Sequence, residues 1–96
     1  QVKDEEVATE IFEAGVNMGT YRAQFNTQRA LNFLGLNLVL DGVIGPVTLK
    51  AINTYTYKST LVKALNGLQF VHYLFLVEHD STQKIFAKGW LRRVSF

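Results

Sequence analysis

Glu10 and Glu13 stand three residues apart, so on a helix their carboxylates are neighbours. Two carboxyls can act as general acid and as nucleophile or base in glycoside hydrolysis. They must then flank a cleft, with one pKa raised by apolar surroundings. Nothing around this pair buries both groups, and acids early in a helix are ordinarily solvated and favoured by its dipole. His72 and His79, seven apart, fall on nearly one helical face. A metal site wants further ligands and closer spacing within one helix, and Glu78 and Asp80 do not complete a set. No metal and no cofactor is expected. Ser59, Ser81 and Ser95 have no nucleophile-elbow context, so a hydrolase triad is unsupported.

Basic residues leave more open. Arg22 and Arg29 lie seven apart, Arg92 and Arg93 lie near the end, and Tyr21, Tyr55, Tyr57 and Trp90 supply aromatic rings. Such groups suit nucleic acid, carboxylate-bearing peptides or sugars, because arginine grips carboxylates bidentately. A net charge of +2 is too small to argue for nucleic acid, and none is expected as a partner.

The elements that must position these residues follow from periodicity. The 96 residues are 48% hydrophobic and 19% charged, which suits one small globular domain spanning 1–96 with one core. There is no cysteine, hence no disulfide framework or thiolate metal site. The longest apolar region, Leu61 to Val77, is interrupted by Lys63, Asn66, Gln69 and His72, which reads as a buried helix and not a membrane span. The chain opens on Gln1 with no apolar signal segment, and is expected to be a domain excised from a larger protein.

Five short helices in one all-α domain are predicted. The first opens with acids, lines up Val7, Ile11, Ala14 and Met18, and exits at Asn17-Met18-Gly19. The second runs from about Tyr21 with Thr20 as N-cap and Ala23, Thr27, Ala30, Leu31 and Leu34 as its inner stripe; Gly35 stops it. Leu38-Val39-Leu40 reads as a brief extended piece. Pro46 starts the third, whose apolar side is Thr48, Ala51, Ile52 and Tyr55. Ser59 or Thr60 caps the fourth, about Leu61 to Glu78, with Leu61, Leu65, Leu68, His72, Phe75 and His79 on one side. Asp80 and Gln83 form a D-x-x-Q capping box for the fifth, in which Phe86 and Trp90 share a face.

LDGVIGPVT, between the second and third helices, concentrates five special residues. Asp41 can close an Asx-type turn, Gly42 and Gly45 can take positive φ, and Pro46 and Thr48 launch a helix. The stretch is a scaffold device first.

The span AQFNTQRALNFLGLNLVLDGVIGPVTLKAI resembles the repeat of peptidoglycan-binding domains, in which L-Q-x-x-L-N-x-L-G leads through D-G-x-x-G-x-x-T into a helix. Gln28, Leu31, Asn32, Leu34, Gly35, Asp41, Gly42, Gly45 and Thr48 fall on that pattern, while Thr27 stands where leucine is usual. IFEAGVNMG and FAKGWLRRV resemble the flanks of the same repeat in lysozyme-like muramidases of phage endolysins and secretion systems, including the typhoid toxin type. The likeness runs from about Val7 to Val94.

In that family the domain is the C-terminal half of a cell-wall hydrolase whose catalytic glutamate sits in an E-G-G motif of the N-terminal domain. No E-G-G occurs here. The resemblance therefore implies a non-catalytic module that binds the stem peptides and glycan of peptidoglycan, covalently linked to a catalytic domain, in the periplasm or cell wall. The expected binding residues are Asn17, Tyr21, Arg22, Asp41, Tyr55 and Lys58. Two other readings remain: a hydrolase in its own right, and a protein-interaction domain that positions the muramidase.

Overall fold

Asp4 starts the first helix. Its carboxylate accepts a hydrogen bond from the Val7 N–H at 2.9 Å, and Glu5 and Glu6 occupy the first turn. This helix, α1, covers Glu5–Met18 in a computed structural model that describes residues 1–80 and 87–93. It is followed by α2 (Thr20–Phe33), α3 (Pro46–Thr54), α4 (Lys58–His79) and a short α5 (Ala87–Arg93). No strand occurs among the described residues, so the all-α class holds and Leu38-Val39-Leu40 is loop.

Several boundaries differ from the sequence expectation. Gly19, at φ +91°, ends α1 and caps α2, so Thr20 is the first helical residue and not the N-cap. The corner needs a backbone conformation that only glycine takes without strain, and no side chain caps it. α4 begins at Lys58 with Tyr57 as N-cap and no side-chain cap bond, ahead of Ser59 and Thr60. The Asp80–Gln83 capping box and the Phe86–Trp90 pairing involve side chains outside the described residues.

α2 ends as its sequence predicts. Gly35 takes φ +112°, its N–H reaches the Asn32 carbonyl, and the Leu36 N–H reaches Leu31, both at 3.1 Å. These are the two bonds of a Schellman motif, which satisfy carbonyls the helix leaves free.

The core joins four helices. Val7 from α1, Ala30 and Leu31 from α2, Ile52 from α3, and Leu61, Val62 and Leu65 from α4 form one buried cluster. Leu36, Leu38 and Ile44 of the loop lean on its edge. Burial of such side chains removes about 25 cal/mol per Å² of apolar surface from water. Thr27 is fully buried too, its hydroxyl donating to the Ala23 carbonyl at 2.8 Å. That back-bond lets a polar residue stand where an apolar one is usual.

α4 departs most from its apolar pattern. Its buried residues are Leu61, Val62, Leu65, Asn66, Gln69 and Tyr73, whereas Leu74 and Phe75 are exposed and His72 is half-buried. The inward face thus follows 62-66-69-73 beyond the first turns, not 61-65-68-72-75-79. By length and composition alone α4 is apolar enough to cross a membrane. In the fold it packs on α1 and α2.

Candidate functional site

The loop between α2 and α3 is built around one side chain. Gln28 is fully buried, and its Oε1 accepts from the N–H groups of Asp41 (3.1 Å) and Gly42 (2.9 Å). Its Nε2 faces Asp41 Oδ1 (2.9 Å), the Val43 carbonyl (3.0 Å) and Thr48 Oγ1 (3.1 Å). One turn earlier Gln24 Oε1 accepts from the Ile44 N–H at 3.1 Å. One turn later Asn32 exchanges two bonds with Leu38. Gln24, Gln28 and Asn32 are spaced by four, so one stripe of α2 grips the loop along its length. Only Gly42 of the two loop glycines has positive φ, +75°; Gly45 is extended and caps α3.

Asp41 is exposed, and its carboxyl is held below the usual carboxylate range by the Gln28 amide first and the Val43 N–H second. The Val43 bond, at 3.0 Å, is the Asx-type closure expected from sequence. Over the same turn lies the Tyr21 ring. Glycine is favoured there by φ, and a β-carbon added at Gly42 would come 2.2 Å from Tyr21 Cε1, so the exposed ring would have to move aside.

Beside this loop-facing stripe, α2 presents a second stripe to α4. Arg22, Asn26 and Arg29 form one wall of an open groove of about 250 Å³. Leu68, Val71, His72 and Phe75 of α4 form the other. Val71 is 58% and Phe75 54% exposed, an apolar floor left open to solvent. No carboxylate lines the groove among the described residues. Arg29 donates to Asn26 Oδ1 at 3.2 Å, which holds its fork beside the opening. Burial lowers the His72 pKa, the Arg22 charge lowers it further, and a hydrogen bond to the Asn17 backbone works the other way.

A third polar cluster lies between α1 and α4. Gln69 Nε2 donates to Glu10 Oε1 at 3.1 Å, Tyr73 Oη donates to Gln69 Oε1 at 3.1 Å, and Asn17 Nδ2 donates to Tyr73 Oη at 2.8 Å. Glu10 has a raised pKa, from burial first and the Glu13 charge second. Glu13 itself is exposed, so the two carboxyls do not share a buried cleft. No buried side-chain nitrogen or oxygen among the described residues lacks a partner.

The six residues expected from sequence fall into three pairs. Arg22 and the Asn17 backbone both lie by His72, while the Asn17 side chain turns to Tyr73. Tyr21 and Asp41 bracket Gly42. Tyr55 and Lys58 meet at the end of α3, where Lys58 Nζ donates to the carbonyls of Ile52, Asn53 and Tyr55. Lysine there satisfies the carbonyls and complements the negative end of the helix dipole. Arg29, weighed in the sequence as a basic partner of Arg22, His72, weighed as a metal ligand, and Phe75 were left out of the expected binding set, and the structure brings them to the groove. Arg29 lies seven residues from Arg22, and His72 and Phe75 lie four and seven from Leu68, so each helical spacing was visible, but which helix faces which was not.

His79 and His72 serve different surroundings: His79 bonds the Phe75 carbonyl at 2.9 Å and stacks on the Phe75 ring at 3.9 Å. No group of three or more potential metal ligands occurs among the described residues.

The family described as Predicted Peptidoglycan domain matches residues 22–95, from the groove wall on α2 through the clamped loop and beyond α5. Comparisons with curated proteins and with solved structures returned no match. Since the matched span takes in Gln28, Asn32, Asp41, Gly42 and Thr48, which together build the loop, the chain belongs to the predicted peptidoglycan domain family.

Proposed function

We propose that this domain is the non-catalytic peptidoglycan-binding module of a cell-wall muramidase, tethering a linked catalytic domain to its substrate during protein secretion or phage-type lysis. The working location is the periplasm or cell wall. The observation that carries the reading is the groove between α2 and α4, where Arg22 and Arg29 stand over an apolar floor with no carboxylate beside them. Peptidoglycan offers carboxylates and small apolar groups on one polymer, and a groove of this chemistry suits both. Weak contacts suffice, since a polymer and a tether raise effective concentration.

Of the six expected contact residues, Arg22, Tyr21 and Asp41 are exposed, and Arg22 and Tyr21 take the ligand-facing role in this reading. Asn17, Asp41 and Lys58 spend polar atoms inside the fold and frame the surface, with Tyr55 beside Lys58. A hydrolase reading draws on Glu10, whose pKa is raised. The carboxyls near it, Glu6 and Glu13, are exposed on the same helix and do not face it across a cleft.

Co-sedimentation of the purified chain with sacculi tests the proposal. The chain is expected in the pellet, with no reducing sugar released. A chain that stays in solution at high sacculus excess rules the module reading out, and sugar release would make it a hydrolase. Binding to wall preparations that survives complete digestion of the glycan would make it a protein-interaction domain.

A further inference from the structure

The groove has a polarity that narrows its ligand. Arg22 and Arg29 are seven residues apart on α2, which places their helix positions about 10 Å apart at about 1.5 Å per residue. An extended peptide advances about 3.3–3.6 Å per residue, so the two guanidinium groups match carboxylates about three residues apart. Between and below them lie Leu68, Val71 and Phe75, which can take small apolar side chains but offer no hydrogen bonds from their side chains. At about 250 Å³ the groove falls just under the range of about 300–1,000 Å³ typical of pockets for drug-sized molecules. That size suits a short peptide end.

We propose that the α2–α4 groove binds the peptide stem of peptidoglycan by its free C-terminal carboxylate and a second carboxylate about three residues before it, with Arg29 and Arg22 as the two anchors. This rests on the peptidoglycan reading and deepens it by naming the moiety. Arginine suits the task because its planar fork pairs with both oxygens of a carboxylate and stays charged. Asn26, buried between the two anchors, already orients Arg29. His72 stands on the opposite wall, where a bound anion favours its protonated form.

The test titrates the whole chain with a synthetic stem pentapeptide bearing a free C-terminal carboxylate, and with the same peptide ending in an amide. Arginine Nε–H and imidazole signals are followed by NMR. The free acid is expected to move the Arg22, Arg29 and His72 signals and to raise the His72 pKa. The amide should bind several-fold more weakly. An Arg22→Gln/Arg29→Gln variant should lose about tenfold, as expected for two exposed ion pairs. Both side chains are exposed, and a thermal melt matching the parent verifies that the variant is folded.

Equal binding of acid and amide, or full binding by the folded double variant, overturns the proposal. So does inorganic phosphate or a short oligonucleotide moving the same signals as strongly as the peptide. Sacculus sedimentation separates the two levels. If the parent chain fails to sediment, the peptidoglycan reading falls with the groove. If parent and double variant sediment equally, only the groove assignment falls.

Discussion

Gln28 and Asp41 bind each other in both directions: the Gln28 amide donates to the Asp41 carboxylate at 2.9 Å, and the Asp41 N–H returns to the Gln28 carbonyl oxygen at 3.1 Å. One side chain of α2 thereby imitates a neighbouring backbone, and the loop closes on it as it would on a strand edge. A buried polar group placed this way stabilises because every partner is met, and for the same reason it is costly to remove.

Gln28→Ala is expected to destabilise the fold by about 2–4 kcal/mol, since it strips partners from the Asp41 and Gly42 N–H groups and leaves a cavity. Gln28→Glu should do comparable harm, because it keeps the acceptor but sets a second carboxylate against Asp41. Urea unfolding of the two variants measures this. A loss below about 1 kcal/mol in both would show that the clamp contributes little.

Gly42→Ala carries two separable penalties. The positive φ costs about 1 kcal/mol with any β-carbon, and the new atom collides with the Tyr21 ring. The ring, exposed and stacked on Phe25 at 6.0 Å, should swing away and lose that stacking. In a Tyr21→Ala background only the backbone penalty remains, so the two changes together should cost less than their sum. Strict additivity in thermal melts would contradict the contact.

Lys58→Met removes the cation that caps α3 while keeping most of the aliphatic stem. The carbonyls of Ile52, Asn53 and Tyr55 lose their shared donor, and stability should fall by about 1–2 kcal/mol. Sacculus binding by the folded variant should be unchanged if Lys58 frames the surface. A variant of parental stability that no longer sediments would instead make Lys58 a ligand contact.

Glu10 predicts a pH dependence of definite sign. Its native pKa is raised above 4.5, so between 4.5 and the native value the folded state holds more proton than the unfolded one. Its contribution is greatest below 4.5 and is lost as pH rises through the native pKa. Glu10→Gln keeps an acceptor for Gln69 and abolishes the titration. Relative to the parent, the variant should therefore gain stability as pH rises from about 4 to about 7. A difference that stays flat or shrinks over that range would exclude a strained Glu10.

The local grammar of the chain was legible without coordinates. The acids that open the first helix, Gly35 after Leu34 and Pro46 after Gly45 mark helix ends by interactions within a few residues, and those ends lie where the residue types put them. The all-α class and the rigid character of the loop follow from the same short-range chemistry. The repeat pattern also held its physical meaning in order: Gln28, Asn32, Asp41, Gly42 and Thr48 are the atoms of one clamp.

What the tertiary structure alone decided is which faces meet. Periodicity on α4 is ambiguous because apolar residues surround it, so whether Phe75 or Gln69 points inward depends on what α1 and α2 offer opposite. α1 offers Glu10 and Asn17, and Gln69 and Tyr73 turn to them; Phe75 is left beside Arg22 and Arg29 at the groove. A hydrogen bond between residues more than fifty positions apart leaves no local trace, and neither does a groove whose walls come from two helices. The Asx turn and the helix ends were written in the sequence because their partners lie within a few residues, and the surface beside them exists only once α2 and α4 have packed.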